Sequence, residues 1–429
     1  VSADARDALP ALTSSSETHD VVVIGAGVVG LSIALALQRR GRRVLVIDRE
    51  GLAAGASRGN AGAFAYSDVL PLASPGLLAK LPRWLLDPLG PLALRPAYLP
   101  RIAPWLWRFW RACREENVAA STQAQAALMK LSAAATARLI ESLHAGALLH
   151  RNGNLHLYDS DASWRASLPG WQLRAQHGIA FEHVQGRDAL AALQPGLDTR
   201  FAVGTFVADW PTIDDPLVWV RRLAEALREA GGALARAQAA SLAPRDNGAV
   251  VQIADGQTLH ARHVVLAAGT WSHRLAATLG ERVPLETERG YNTTLPPGAF
   301  DLRRQLTFVD HGFVMTPIAG GVRVGGAVEL AGLDAPPNYA RADALLAKAQ
   351  RFVPSLHAEG GTRWMGCRPS LPDSLPVIDR SAATPAVLYA FGHGHLGLTQ
   401  SAATAELVAA LVHRERPAID LTPFQAGRF

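Results

Sequence analysis

Residues 19–48, HDVVVIGAGVVGLSIALALQRRGRRVLVID, constrain the fold more than any other stretch of the chain. Val21, Val22, Val23 and Ile24 form a continuous β-branched run, the pattern of a strand buried on both faces. Gly25, Gly27 and Gly30 follow in G-x-G-x-x-G spacing. A segment of helical period then runs to Gly41, and a second strand over residues 44–47 is closed by Asp48. Strand, glycine turn, helix and parallel strand make a βαβ unit. Gly25 permits the tight turn, Gly27 lets the backbone approach a pyrophosphate, and Gly30 lets the helix pack on the strand. The free N–H groups and positive dipole end of the helix suit phosphates. Asp48 stands where a carboxylate accepts hydrogen bonds from a ribose, which disfavours a 2′-phosphate and so NADP. The expected fold class is α/β, built on a Rossmann-like dinucleotide-binding domain.

A chain of 429 residues, 49% hydrophobic and 18% charged, is globular and long enough for two domains. The formal charge of +5 comes almost entirely from dispersed arginines, since Lys80, Lys130 and Lys348 are the only lysines. No basic run is interleaved with aromatic residues, so nucleic-acid binding is not expected. Cys113 and Cys367 are far apart and in no metal-ligand spacing, which fits a reducing compartment and no metal site. No run of about 20 apolar residues marks a transmembrane helix. Residues 1–17 read as a flexible leader without the apolar core of a signal peptide.

Two further segments bear on the cofactor. GASRGNAGAF, residues 55–64, is rich in small and polar residues suited to wrapping backbone amides around a dinucleotide; Ser57, Asn60, Ala61 and Gly62 are the candidates there. ARHVVLAAGTWS, residues 261–272, reads as a late strand whose end, with Ala268 and Gly269, is small enough to pass close to a cofactor. Together with GCRPSLPDSLPVID and FGHGHLGLT, these motifs resemble the FAD-dependent amine and D-amino acid oxidoreductases, above all the bacterial D-amino acid dehydrogenases. The resemblance spans residues 19–412 and implies FAD as cofactor. It also implies a discontinuous FAD domain (18–72, 212–282 and 366–429) and an α+β substrate domain with a mixed sheet (73–211 and 283–365). A helix pattern over residues 217–230 and alternating strands in GNLHLYDS and FVMTPIAGGVRVGGAVEL agree with that division.

The resemblance also assigns roles. The arginine of the RP step, Arg368, grips the substrate carboxylate, which a guanidinium does with two parallel hydrogen bonds. The glycine-rich loop before the last helix passes the flavin, with Gly394, Gly397, Leu398 and Thr399 as contacts. Backbone N–H groups there stabilise negative charge on the reduced ring. His395 is a secondary substrate contact and His393 is structural. Tyr66 and Tyr291 are each candidates for a further hydrogen bond to the carboxylate, against packing roles of equal weight. Arg289 stands where relatives have a lysine-like residue. Asp373 is read as a turn residue and Cys367 as a buried thiol. The implied reaction is oxidative deamination of D-amino acids, D-proline or hydroxyproline among them, by hydride transfer from Cα to flavin N5.

Residues 74–113 are rich in proline, leucine, arginine and tryptophan, with Trp84, Trp105, Trp107 and Trp110 beside arginines. That composition suits a membrane interface, as a quinone-reducing enzyme requires, and equally a helical flap on the substrate domain or a partner subunit. The expected partners are an amino-acid substrate and a quinone or other electron carrier. The expected location is the cytoplasm, with peripheral contact at the inner face of the membrane. An oxygen-using oxidase of glycine, sarcosine or D-amino acids, and a non-catalytic flavin-binding protein, are the competing readings.

Overall fold

The computed structural model describes residues 7–13, 18–74, 90 and 92–429. The expected leader falls partly outside these residues, as does part of the 74–113 segment, Trp84 included. The described part of the leader is not free. Asp7 is buried, forms ion pairs with Arg58 (2.6 Å) and Arg221 (2.7 Å), and accepts the Leu52 amide on its carbonyl. Burial raises the Asp7 carboxyl, but the two guanidinium groups bring it below the ordinary range. Ala11 bridges to Arg236 at the sheet edge. A charge that sequence reading leaves in solvent thus anchors the segment.

The chain builds two large sheets. In the first, Thr18–Ile24 lies between Val44–Asp48 and Thr258–Leu266, all parallel. Ala233–Arg236 extends one side and Val387–Phe391 the other, again parallel. Val21, Val22 and Val23 have no exposed surface, as their β-branched run requires. On one face pack the helices Val28–Arg39, Pro216–Glu229 and Gly397–His413, around Leu31, Trp219 and Val408. On the other lies an apolar layer that includes Leu242, Val251 and Leu259 of the antiparallel strands 239–266. The helix expected over 217–230 is Pro216–Glu229, capped by the Asp215 carboxylate on the Leu217 amide (2.7 Å).

The second sheet runs Thr362–Ser370, Glu286–Leu295, Gly321–Leu330, Phe313–Ile318, Gln305–Phe308, Asn154–Tyr158, Val203–Val207 and Glu182–Gln185, with parallel and antiparallel pairs. Helix Ala340–Phe352 covers one face over a core of Leu306, Phe308, Phe313 and Phe352. The boundary expected at residue 366 falls inside Thr362–Ser370, a strand paired along its whole length with Glu286–Leu295. Arg368 therefore stands on the second sheet, and the chain returns to the first sheet at Val377–Arg380.

The described part of 74–113 contains the short strand Leu92–Leu94, a 3₁₀ turn Pro96–Tyr98 and the helix Leu99–Ala112, which carries Pro104 in its interior. Arg95 pairs with Glu329 (3.0 Å), and the Tyr98 hydroxyl donates to the Glu286 carboxylate, fastening the segment to the second sheet. Ile102 and Trp105 face inward, while Trp107 and Trp110 are about half exposed at 54% and 53%. No helix among the described residues is long and apolar enough to cross a membrane.

Candidate active site

One cavity of about 1070 Å³ runs between the two sheets. At one end the turn 25–29 forms its wall. Gly25 adopts φ +118°, and a Cβ there would lie 2.3 Å from the Ala267 carbonyl oxygen, so only glycine fits. Gly30 sits under the turn and does not reach the cavity. At Gly27 the nearest atom to a Cβ is Ser57 Oγ at 3.1 Å, so a side chain there would fill the cavity itself. Ser57 Oγ accepts the Val28 amide (3.0 Å). Asp48 Oδ2 accepts the Ala26 amide (2.9 Å), and Oδ1 accepts those of Glu50 (2.9 Å) and Gly51 (3.1 Å). The carboxylate thus braces the turn, with acceptor capacity left for a hydroxyl group.

The loop 55–62 is pinned from within and from the second sheet. Asn60 closes a turn on the Gly62 amide (2.8 Å). Its carbonyl accepts Arg323 Nη1 (2.6 Å), and the Gly59 carbonyl accepts Asn292 Nδ2 (2.7 Å). The Trp364 indole lies over Gly59 and Gly366, where no Cβ has room. Ser57, Asn60, Ala61, Ala268 and Gly269 line the cavity. Gly62 does not; its φ of +68° serves the turn.

At the other end, Gly394, His395, Gly397 and Leu398 line the cavity where helix Gly397–His413 begins. That helix start has no side-chain cap and no acid in its first turn, so its N–H groups and dipole are available to an anion. Thr399 faces away and accepts the Ala65 amide (3.0 Å). His393 is buried against Thr404 Oγ1 (3.0 Å), and burial lowers it to about 3. The Gly394 amide donates to the Pro369 carbonyl (2.8 Å), tying this loop to the strand of Arg368.

Arg368 lines the cavity. Its guanidinium runs over Gly290, where a Cβ would lie 2.3 Å from Nη2, and donates to the Ala327 carbonyl (3.1 Å). Burial lowers its pKa, and the Glu288 carboxylate acts in the opposite direction. No carboxylate lies within 4.0 Å of it among the described residues. Elsewhere on the cavity wall stand Asp68, His156 and His395. Burial raises the Asp68 carboxyl, but His395 (3.8 Å) and Arg174 (3.9 Å) bring it below the ordinary range. Burial lowers His156 to about 4, and its ring meets Trp171 and Trp210 edge-on.

The two tyrosines part company. Tyr66 does not line the cavity: its ring stacks on Phe64 in the first-sheet core, and burial pushes its hydroxyl to about 12. The Tyr291 ring reaches the cavity, but its hydroxyl donates to Glu329 (2.5 Å) and accepts the Asn338 amide (3.1 Å). Arg289 Nη1 joins the same Glu329 (3.2 Å). This buried network occupies the Tyr291 hydroxyl, so it is not free for a carboxylate. Cys367 reaches the cavity, and burial raises its thiol. Asp373 caps the Leu375 amide and pairs with Arg428 (2.6 Å). Sequence reading missed Asp68, His156, Glu288, Gly290, Asn292 and Trp364. The alternation Glu286, Glu288, Gly290, Asn292 along one strand face was the available signal, because polar residues on a strand face inside a protein need a cavity or partners. Among the described residues, no group of three or more His, Cys, Asp or Glu is placed to hold a metal.

A glycine turn at a helix start, a braced carboxylate at the next strand end and a second uncapped helix start, all on one cavity, define a dinucleotide-binding protein. Comparison with known proteins gives the family. Residues 20–411 match the DAO family, described as FAD dependent oxidoreductase. A D-amino-acid oxidase from Bradyrhizobium diazoefficiens is 36% identical over 426 residues, covering 96% of this chain and 99% of the relative. A D-amino acid dehydrogenase from Sinorhizobium medicae is 29% identical over 415 residues, 95% and 99% of the two chains. Glycine oxidase from Geobacillus kaustophilus shares the fold with a TM-score of 0.76 at 22% identity, over 96% of this chain and all of that one. The chain belongs to the DAO family of FAD-dependent oxidoreductases, and FAD is its cofactor. The residues fit that group: Gly27 leaves the cradle open, Asp48 retains acceptor capacity, and both helix starts present N–H groups to the cavity.

Proposed function

We propose that this chain carries out oxidative deamination of D-amino acids, cyclic ones such as D-proline within its range, and passes the electrons to a quinone or another carrier. The observation that carries the reading is the Arg368 guanidinium, buried on the cavity wall with no carboxylate closed on it as an ion pair among the described residues. An arginine held this way has two parallel donors for a substrate carboxylate. The names of the D-amino acid relatives support the same substrate class.

In this reading FAD, when bound, supplies the two-electron oxidation. The protein's part is orientation. Arg368 holds the carboxylate, and Gly290 keeps the path of its guanidinium clear. Trp105, Leu106 and Phe109 present apolar surface to the cavity and exclude water from the reacting carbon. Water then converts the imino acid of a primary amine to a keto acid and ammonia, while a cyclic substrate such as D-proline leaves as its cyclic imine.

The helix Leu99–Ala112 supports, as part of the same proposal, a peripheral contact with the inner face of the membrane. It carries no acid, its exposed Trp107 and Trp110 lie beside Arg111 and Arg114, and its other face lines the cavity. A second reading, with oxygen as acceptor, draws on the 36% identical oxidase. Anaerobic bleaching of the bound flavin by D- and L-amino acids, glycine, sarcosine and prolines tests the substrate. Recovery in air against recovery with a quinone analogue tests the acceptor. Absence of bleaching by every amine refutes the amino-acid reading, and fast recovery in air refutes the carrier.

A further inference from the structure

Strand alternation puts Glu286, Glu288, Gly290 and Asn292 of one strand on the same sheet face as Trp364, Gly366, Arg368 and Ser370 of its neighbour. Glu288 and Arg368 are register partners, so their Cβ atoms stand only about 5 Å apart. An acid and a base so placed ordinarily close into an ion pair. These do not. The guanidinium turns along the sheet, over Gly290, to the Ala327 carbonyl, and no N···O distance between the pair falls within 4.0 Å.

Glu288 is 8% exposed, lines the cavity, and has no hydrogen-bond partner among the described residues. The charges around it are engaged elsewhere. Arg289 points through the opposite face to Glu329 and the Ala335 carbonyl. Glu286 is held by Tyr98 and the Thr287 amide. A carboxylate kept from water without a cation is costly. Here it is retained beside the Arg368 guanidinium with no ion pair closed between them, both lining one cavity. An α-amino acid zwitterion carries a carboxylate and an ammonium on one carbon, the complement of such a pair.

We propose that Glu288 binds the substrate's α-amino group and, with Arg368, forms a two-point receptor that selects amino acids over simple carboxylic acids. The inference rests on the amino-acid reading above. Arg368 supplies affinity for any carboxylate; Glu288 supplies the preference for an amine beside it.

The test compares each amino acid with its deamino analogue on the FAD-loaded enzyme: D-alanine with propionate, D-proline with cyclopentanecarboxylate. Amino-acid affinity is read from the saturation of anaerobic flavin reduction, and analogue affinity from calorimetry. Glu288→Gln weakens the amino acid by about 10- to 100-fold, the worth of a charged hydrogen bond. It leaves the analogue unchanged or tighter, because a repelling charge is gone. Arg368→Ala weakens both. Equal weakening of both ligands by Glu288→Gln would mean that Glu288 only orders Arg368, and would overturn the proposal, as would no change in either. If Glu288→Gln fails to retain flavin, Glu288→Asp gives the same comparison with the carboxylate drawn back by one methylene, and an unchanged ratio of affinities overturns it. A wild-type flavin that no amino acid bleaches overturns the substrate reading and this inference with it. A bleached wild type with an indifferent variant overturns the inference alone.

Discussion

Adding one methyl group at Gly290 should disable the carboxylate clamp while leaving the fold and the cofactor in place. The Cβ of Gly290→Ala would lie 2.3 Å from Arg368 Nη2, 2.5 Å from Cζ and 3.0 Å from Nη1, where ordinary contact begins near 3.4 Å. The guanidinium must therefore retreat by about 1 Å, a misplacement worth about 100-fold in rate, or about 2.7 kcal/mol. Gly290 lies in a strand and does not use a positive φ, so alanine strains no backbone. The atoms it displaces are the far end of a flexible side chain, so the sheet need not shift. Steady-state kinetics with the best D-amino acid should show kcat/KM reduced by that factor, with flavin content and Tm near wild type. Wild-type kcat/KM in a fully flavin-loaded variant would refute the clamp at Arg368.

Gly27→Val points two methyl groups into the cradle, where only Ser57 Oγ lies near a Cβ, and should yield colourless protein; a variant purified with a full flavin spectrum contradicts the βαβ reading. His156 and His393 are neutral in the fold, lowered by burial to about 4 and about 3. Below pH 6.5 the unfolded chain takes up their protons first, so stability is lost as the pH falls, by about 3 kcal/mol from His156 alone by pH 4. Urea unfolding that gives the same stability at pH 7.5 and pH 5 would contradict this. Replacing Trp107 and Trp110 by alanine should lower co-sedimentation with anionic vesicles at least tenfold, with salt weakening the wild type in the same assay; equal binding of both proteins rejects the membrane-facing helix.

The first sheet and one end of the cavity were legible in the sequence because local pattern dictates them. A short β-branched run without polar interruption, ended by a glycine turn, is the pattern of a strand covered on both faces, and Gly25 occupies a conformation that other residues avoid. The same holds for Asn60, whose side chain acts on backbone two and three residues away. The motif places Arg368 beside the return to the first sheet, whereas its strand pairs with Glu286–Leu295 of the second, a long-range fact that no local pattern carries. Tyr66 and Tyr291 looked equivalent as sequence. One is packed on Phe64, and the other is bound by a glutamate on a neighbouring strand. Asp7 appeared to be a solvated leader residue, until two distant arginines closed on it. By itself, then, the sequence determined the dinucleotide turn, its carboxylate and the small-residue loop, because nearest-neighbour sterics and strand or helix period carry that information. Only the tertiary structure decided that Glu288 stands beside Arg368 on one wall of the cavity: alternation tells which side chains share a strand face, while register and sheet order, set by the whole core, tell which charges meet.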